Sequence, residues 1–313
     1  MDIEIKNKLD RMAVYKDQFK DVFPWDNGVI KYIAAIIYSG MDEEIDIDRL
    51  NEMKKLINDN TRRFSAFRNS FQPLLAILLS FEKEPKELFL RMKDIAHLFK
   101  QEKIVNNAYT AAACYYIASN ADEADDQKIV TCFKQLYRGI KKEYPLITGV
   151  DDYMYFTVMA IQGLEVHGTI ERINTISEQL QVCGMKKNEL QALALTVLLM
   201  EHDDEDLLSK VVAMSDTLKE KGVSLNSFGI SASIAVLAEL DEADCSIVDV
   251  FLETVAYIRT LDGYSDEYID DVMRTIIAIL FLTYRSSRKD LVETQTLCYL
   301  VLMMSCSSTT LLL

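Results

Sequence analysis

The feature that most constrains this chain is an alternation of two kinds of segment. One kind is apolar nearly all round for roughly a dozen residues; the other is polar with a single apolar stripe at helical spacing. The apolar segments cover residues 29–38, 71–81, 109–118, 153–164, 190–200, 228–240 and 268–284. Their starts, at Val29, Phe71, Tyr109, Tyr153, Leu190, Phe228 and Tyr268, are 42, 38, 44, 37, 38 and 40 residues apart by subtraction. Between them lie stripes such as Leu88, Met92, Ile95, Phe99; Ile129, Phe133, Leu136, Ile140; and Ile170, Ile173, Ile176, Leu180. A period of about 40 residues is that of HEAT-like helical hairpins.

An all-round apolar helix cannot be left in water, so each must be covered by striped neighbours. The expected fold is therefore all-α: about seven stacked hairpins, forming either an open HEAT-like α-solenoid or a closed α/α toroid. Ile5, Leu9, Met12, Tyr15 and Phe19 share one helical face within residues 1–22 and would cap the first hairpin. Only 10 Gly and 4 Pro occur in 313 residues, which disfavours turn-dense β architectures. The expectation is a single helical-repeat domain over 1–313, with the Pro- and Gly-bearing stretch 144–150 as a division between two packed halves.

Half of the residues are apolar, enough for a core without staples. The six cysteines form no CxxC pair and fall in apolar stretches, as expected of reduced core residues in a cytoplasmic protein. No run approaches the roughly 20 apolar residues of a membrane span, and residues 1–6 lack the pattern of a secretory signal. A net charge of −15 opposes binding to nucleic acid or to an anionic membrane.

Boundary chemistry adds detail. Asp46 or Asp48 can cap a helix over residues 49–57, Pro85 suits a first helical turn after Glu84, and Thr169 suits the start of another helix. Trp25 would staple the N-terminal helix to the first hairpin.

Trp25, the 64–68 stretch Phe-Ser-Ala-Phe-Arg, Tyr109-Thr110-Ala111-Ala112, the 146–153 segment Leu-Ile-Thr-Gly-Val-Asp-Asp-Tyr and the 184–191 segment Gly-Met-Lys-Lys-Asn-Glu-Leu-Gln carry a resemblance. The chain resembles, along most of its length, a bacterial family typical of Firmicutes and catalogued only as a domain of unknown function. Its most specific part is Thr148-Gly149-x-Asp151-Asp152-Tyr153; the departure is Glu189 directly after Asn188, without a glycine before that asparagine. The resemblance implies no activity, substrate or cofactor. It does draw attention to Asn188 and Gln191 as candidate binding residues.

Thr148, Asp151 and Asp152 form a second candidate, in which adjacent carboxylates can hold a divalent cation or a substrate amine. The competing account is that Thr148 or Asp151 caps the helix starting near Tyr153. Acidic runs at 122–126, 202–206 and 266–271 sit at hairpin junctions; the first and third nominally match a diphosphate-Mg²⁺ spacing but have no basic partner at a matching offset. His97, His167 and His202 make no HxxxH pair. Arg62, Arg63 and Arg68, interleaved with aromatics, can clamp a phosphate or a carboxylate, or else close the negative pole of the preceding helix.

No glycine-rich phosphate loop or nucleophile elbow is present, so no catalytic residue, metal ligand or cofactor is assigned. The expected function is binding or scaffolding, with a protein, a peptide or a small ligand on the concave face. The alternatives are an α/α-toroid enzyme or a metal- or phosphate-ligand site at Asp151 and Asp152, and a homo-oligomer assembled through the apolar C-terminal segment 297–313.

Overall fold

The structure, a computed structural model, describes residues 1–22, 28–68, 71–200, 204–225, 230–240 and 246–283. Trp25, His202, Asp203 and the C-terminal segment lie outside the described residues, as do Cys245, Cys298 and Cys306.

Among the described residues the chain is all-helical, with fourteen α-helices and no strand. These are α1 (Ile3–Val22), α2 (Val29–Gly40), α3 (Ile47–Asn60), α4 (Gln72–Ser80), α5 (Pro85–Gln101), α6 (Ala108–Asn120), α7 (Asp126–Glu143), α8 (Tyr153–Ile161), α9 (Val166–Leu180), α10 (Lys187–Leu199), α11 (Asp204–Glu220), α12 (Ile230–Leu240), α13 (Ser246–Thr260) and α14 (Asp271–Thr283). Every even-numbered helix falls on an apolar segment of the sequence, and the odd-numbered helices from α3 onward fall on the intervening polar segments. The difference shows in burial. All of α2 from Ile33 to Gly40 is buried, whereas α7 buries Asp126, Ile129, Val130, Phe133, Leu136 and Ile140 and leaves its other side wet.

The ends follow local chemistry. Asp46 accepts the Arg49 N–H at 2.8 Å and Asn107 that of Thr110 at 2.9 Å, satisfying donors that a helix start leaves over. Pro85 opens α5 as expected. Two boundaries differ from the sequence reading. The ninth helix starts at Val166, so Thr169 is buried inside its first turn. The last described helix starts at Asp271, because residues 264–269 form a turn and loop whose Tyr264 and Ile269 carbonyls are held by Arg274.

Two compact units are distinguished. One comprises Val14–Val166; in it α3 packs on α4, α5 on α6 and α7 on α8, while α2 lies beside α4, α6 beside α8, and α3, α5 and α7 follow one another on the outside. The stretch 144–150 lies inside this unit. The other comprises Met1–Ala13 and the described chain from His167 onward, where α10, α12 and α14 adjoin in order and α11 and α13 cover them. Within that unit Tyr257 donates to Asp10 at 2.5 Å, and the buried Tyr264 hydroxyl lies 3.5 Å from the Met12 carbonyl.

No helix of the described residues is long and apolar enough to cross a membrane. Among the described cysteines, Cys114 and Cys183 are buried free thiols and Cys132 is a half-buried one that donates to the Leu164 carbonyl at 3.4 Å.

Candidate functional site

The turn between α7 and α8 is built from proline, glycine and two aspartates. The α7 ladder ends with the Tyr144 N–H on Ile140 O at 2.8 Å, and Pro145 then brings no N–H with which to extend it. The chain folds back through the Thr148 N–H on Tyr144 O at 3.1 Å, which leaves Leu146 96% exposed and Thr148 buried. Gly149 donates its N–H to Asp152 Oδ2 at 2.8 Å. A Cβ on Gly149 would stand 2.2 Å from Asp151 Oδ1, so a larger residue here requires the exposed Asp151 side chain to turn away.

Asp152 occupies the N-cap position of α8 but makes no side-chain hydrogen bond to that helix. The expectation that Thr148 or Asp151 caps the helix gives way to a different arrangement, in which the second aspartate ties the turn itself. Burial is the main force on its carboxyl, and the neighbouring Asp151 charge adds to it. The Gly149 N–H and Lys141 act in the opposite sense, and the balance pushes the carboxyl up to about 7. Asp152 is thus poised to take or give a proton near neutrality.

An aromatic cluster lies behind it. Tyr153 meets Phe133 edge-on at 5.1 Å and Tyr137 at 5.2 Å, and Phe133 also meets Phe99 at 5.0 Å. Burial and the adjacent Tyr137 hold the Tyr153 phenol in its neutral form. Lys141, one turn after Tyr137, donates to its hydroxyl at 3.1 Å. Tyr137 and Lys141 escaped the sequence reading, and Tyr153 entered it only as part of the motif and as a helix start. The available signal was the Tyr137–Lys141 spacing of four on a polar helix leading into the Asp-Asp-Tyr turn.

The other sequence candidates occupy other places. Arg68 is half-buried and donates to Thr61 Oγ1 at 2.9 Å and to the Asn58 carbonyl, closing the C-terminal end of α3. Arg62 and Arg63 are exposed, with Phe64 beside them 87% exposed. Asn188 is exposed and Gln191 buried at the start of α10, in the other unit.

The acidic runs are partly neutralised from within. Arg91 grips the buried Asp126 through both carboxylate oxygens at 2.7 and 3.2 Å and also donates to the Ala118 and Ala121 carbonyls. The fully buried Arg274 donates to Asp266 at 2.6 Å and Asp271 at 2.8 Å. Arg259 reaches the same two acids. The basic partners absent from the sequence pattern are therefore arginines of the fold. Among the described residues no cluster of three His, Cys, Asp or Glu is placed to hold a metal ion.

Comparison with curated proteins and with solved structures finds no match. A family model described as "Protein of unknown function (DUF4003)" matches residues 14–308, nearly the whole chain, and the chain belongs to that family.

Proposed function

We propose that this chain is a non-enzymatic binding or scaffolding protein, a stack of helical hairpins that offers the uncovered side of its even-numbered helices to a protein segment. One observation carries the reading. In the Val14–Val166 unit, the few interior positions of the buried helices that reach solvent are large and mostly aromatic. Only Tyr115 is unburied between Thr110 and Ala118 on α6, only Tyr155 between Tyr153 and Ala160 on α8, and only Leu78 between Pro73 and Leu79 on α4. On α2 the corresponding positions are Lys31 and Tyr32.

Each of these helices has its other sides covered by its neighbours, so the open side faces away from the odd-numbered layer. Tyrosine there offers apolar area and a hydrogen-bonding hydroxyl to whatever binds, at little conformational cost. Wet positions of the odd-numbered helices are mostly charged instead, as with Asp94, Lys128 and Arg138. Photo-crosslinkers placed at Tyr115 and Tyr155 are expected to trap one defined protein in host cells, while crosslinkers at Asp94 and Arg138 do not. Equal trapping from both pairs, or none from the tyrosines, would overturn the reading.

The near-neutral titration of Asp152 favours a second reading, a small-ligand or acid–base site over Gly149. Native mass spectrometry of protein purified gently from its host tests it. This reading requires a defined small adduct that disappears in Asp152→Ala; a bare mass, together with a variant altered only in melting temperature, leaves Asp152 as a residue of the fold.

A further inference from the structure

We infer that the segment bound along the tyrosine-bearing helices is basic, rich in lysine and arginine; this rests on the binding reading above. The connections that follow α2, α4 and α6, taken with the first residues of the helices after them (41–48, 81–87 and 121–126), hold twelve Asp and Glu against two Lys. They lie along one edge of the Val14–Val166 unit. Tyr38, near the end of α2, bonds Ser80 at 3.1 Å and meets the tilted ring of Phe81, just after α4, at 4.8 Å. Arg49 donates to the Glu82 carbonyl at 3.2 Å, linking the first connection to the second. Tyr115 then joins the second connection to α6 through Glu82 Oε1 at 2.9 Å. One of the proposed contact tyrosines is thus bonded directly to the acidic edge.

Acids elsewhere in the unit are mixed in use, and Asp94, Glu143 and Asp151 form no ion pair among the described residues. Asp17, Glu52, Asp59 and Glu102 each pair with a lysine or arginine. On the edge Asp46 caps α3 and Asp126 holds Arg91, but Glu43, Glu44, Glu84, Asp122, Glu123 and Asp125 form no ion pair among the described residues. Residues 42–48 line a surface depression, flanked by the half-exposed Met41 and Ile47. At the opposite ends of α4 and α6 the connections carry Arg62, Arg63, Arg68 and Lys103. Unpaired carboxylates beside an aromatic side attract a cationic segment, and the cationic connections ahead of α4 and α6 repel it; such complementarity sets partner choice and orientation.

The test is selection from phage-displayed random peptides on the full chain, run in parallel on two variants. One carries Tyr115→Ala with Tyr155→Ala; the other carries Glu43→Gln, Glu44→Gln, Asp122→Asn and Glu123→Gln. The expected result is a set of peptides of net positive charge whose affinity falls at least about tenfold on each variant. Peptides that need the tyrosines but are neutral or acidic would overturn this inference and leave the binding reading standing. Basic peptides indifferent to the four acids would overturn it as well, as adhesion to overall charge. Absence of any peptide that depends on the tyrosines would sink the binding reading beneath it.

Discussion

Asp152 is kept inside its turn by one backbone N–H, and its titration has a thermodynamic consequence. Its folded-state pKa of about 7 lies above the ordinary carboxylate value, so between those values the folded chain holds a proton that the unfolded chain has released. Stability is therefore highest at and below the ordinary carboxylate range, falls as pH rises through the interval, and levels out above about 7. Asn in its place retains an acceptor for Gly149 and cannot ionise. Urea unfolding should accordingly show Asp152→Asn gaining on the parent chain, on the order of 2 kcal/mol, between about pH 5 and about pH 8. A difference that does not change with pH would mean that this carboxyl titrates as an ordinary one. Arg274 and Asp126 show the opposite solution for a buried charge. Each is matched by an opposite charge, and both arginines involved, Arg274 and Arg91, also saturate carbonyls.

At the scale of elements, odd-numbered helices reach across to finish even-numbered ones. Arg49 of α3 caps a carbonyl after α4, Arg91 of α5 caps carbonyls at the end of α6, and Cys132 of α7 caps one after α8. Close approach matters as well. A Cβ on Gly139 of α7 would meet Val166 Cγ1 at 2.2 Å. Gly139→Ala should therefore lower stability by about 1–3 kcal/mol, although alanine is the better helix former, and thermal melting would register this as a lower Tm. The helices themselves were legible in the sequence, because an all-round apolar run and a one-stripe run bury different fractions of their surface. Tie points were less so. Arg274 is a lone cation within the apolar run 268–284, which signals a buried ion pair but not its partners. The direction of the Asp152 carboxylate is fixed by the Gly149 N–H, a tie that spacing does not encode. Thr169 looked like a cap because its type suits one, yet it is buried within the first turn of α9.

Across the whole molecule, helix α1 contributes to both compact units. Its second half serves Val14–Val166, where Tyr15 donates to the Glu43 carbonyl at 3.1 Å and Phe19 meets Tyr38 at 5.4 Å. Its first half belongs with the chain from His167 onward, burying Ile5, Leu9 and Met12 and pairing Asp10 with Tyr257. Deleting residues 1–13 should thus strip hydrogen-exchange protection from α13 while amides of α4 to α7 keep theirs; uniform loss, or none, would contradict that assignment. The pairing of Asp10 with Tyr257 spans 247 residues. During synthesis the first half of α1 emerges long before α13 exists, an interval of roughly 10–50 s at ordinary translation rates. Throughout it the stripe of Ile5, Leu9 and Met12 lacks the cover that the chain from His167 onward later supplies, which leaves it open to a nascent-chain chaperone.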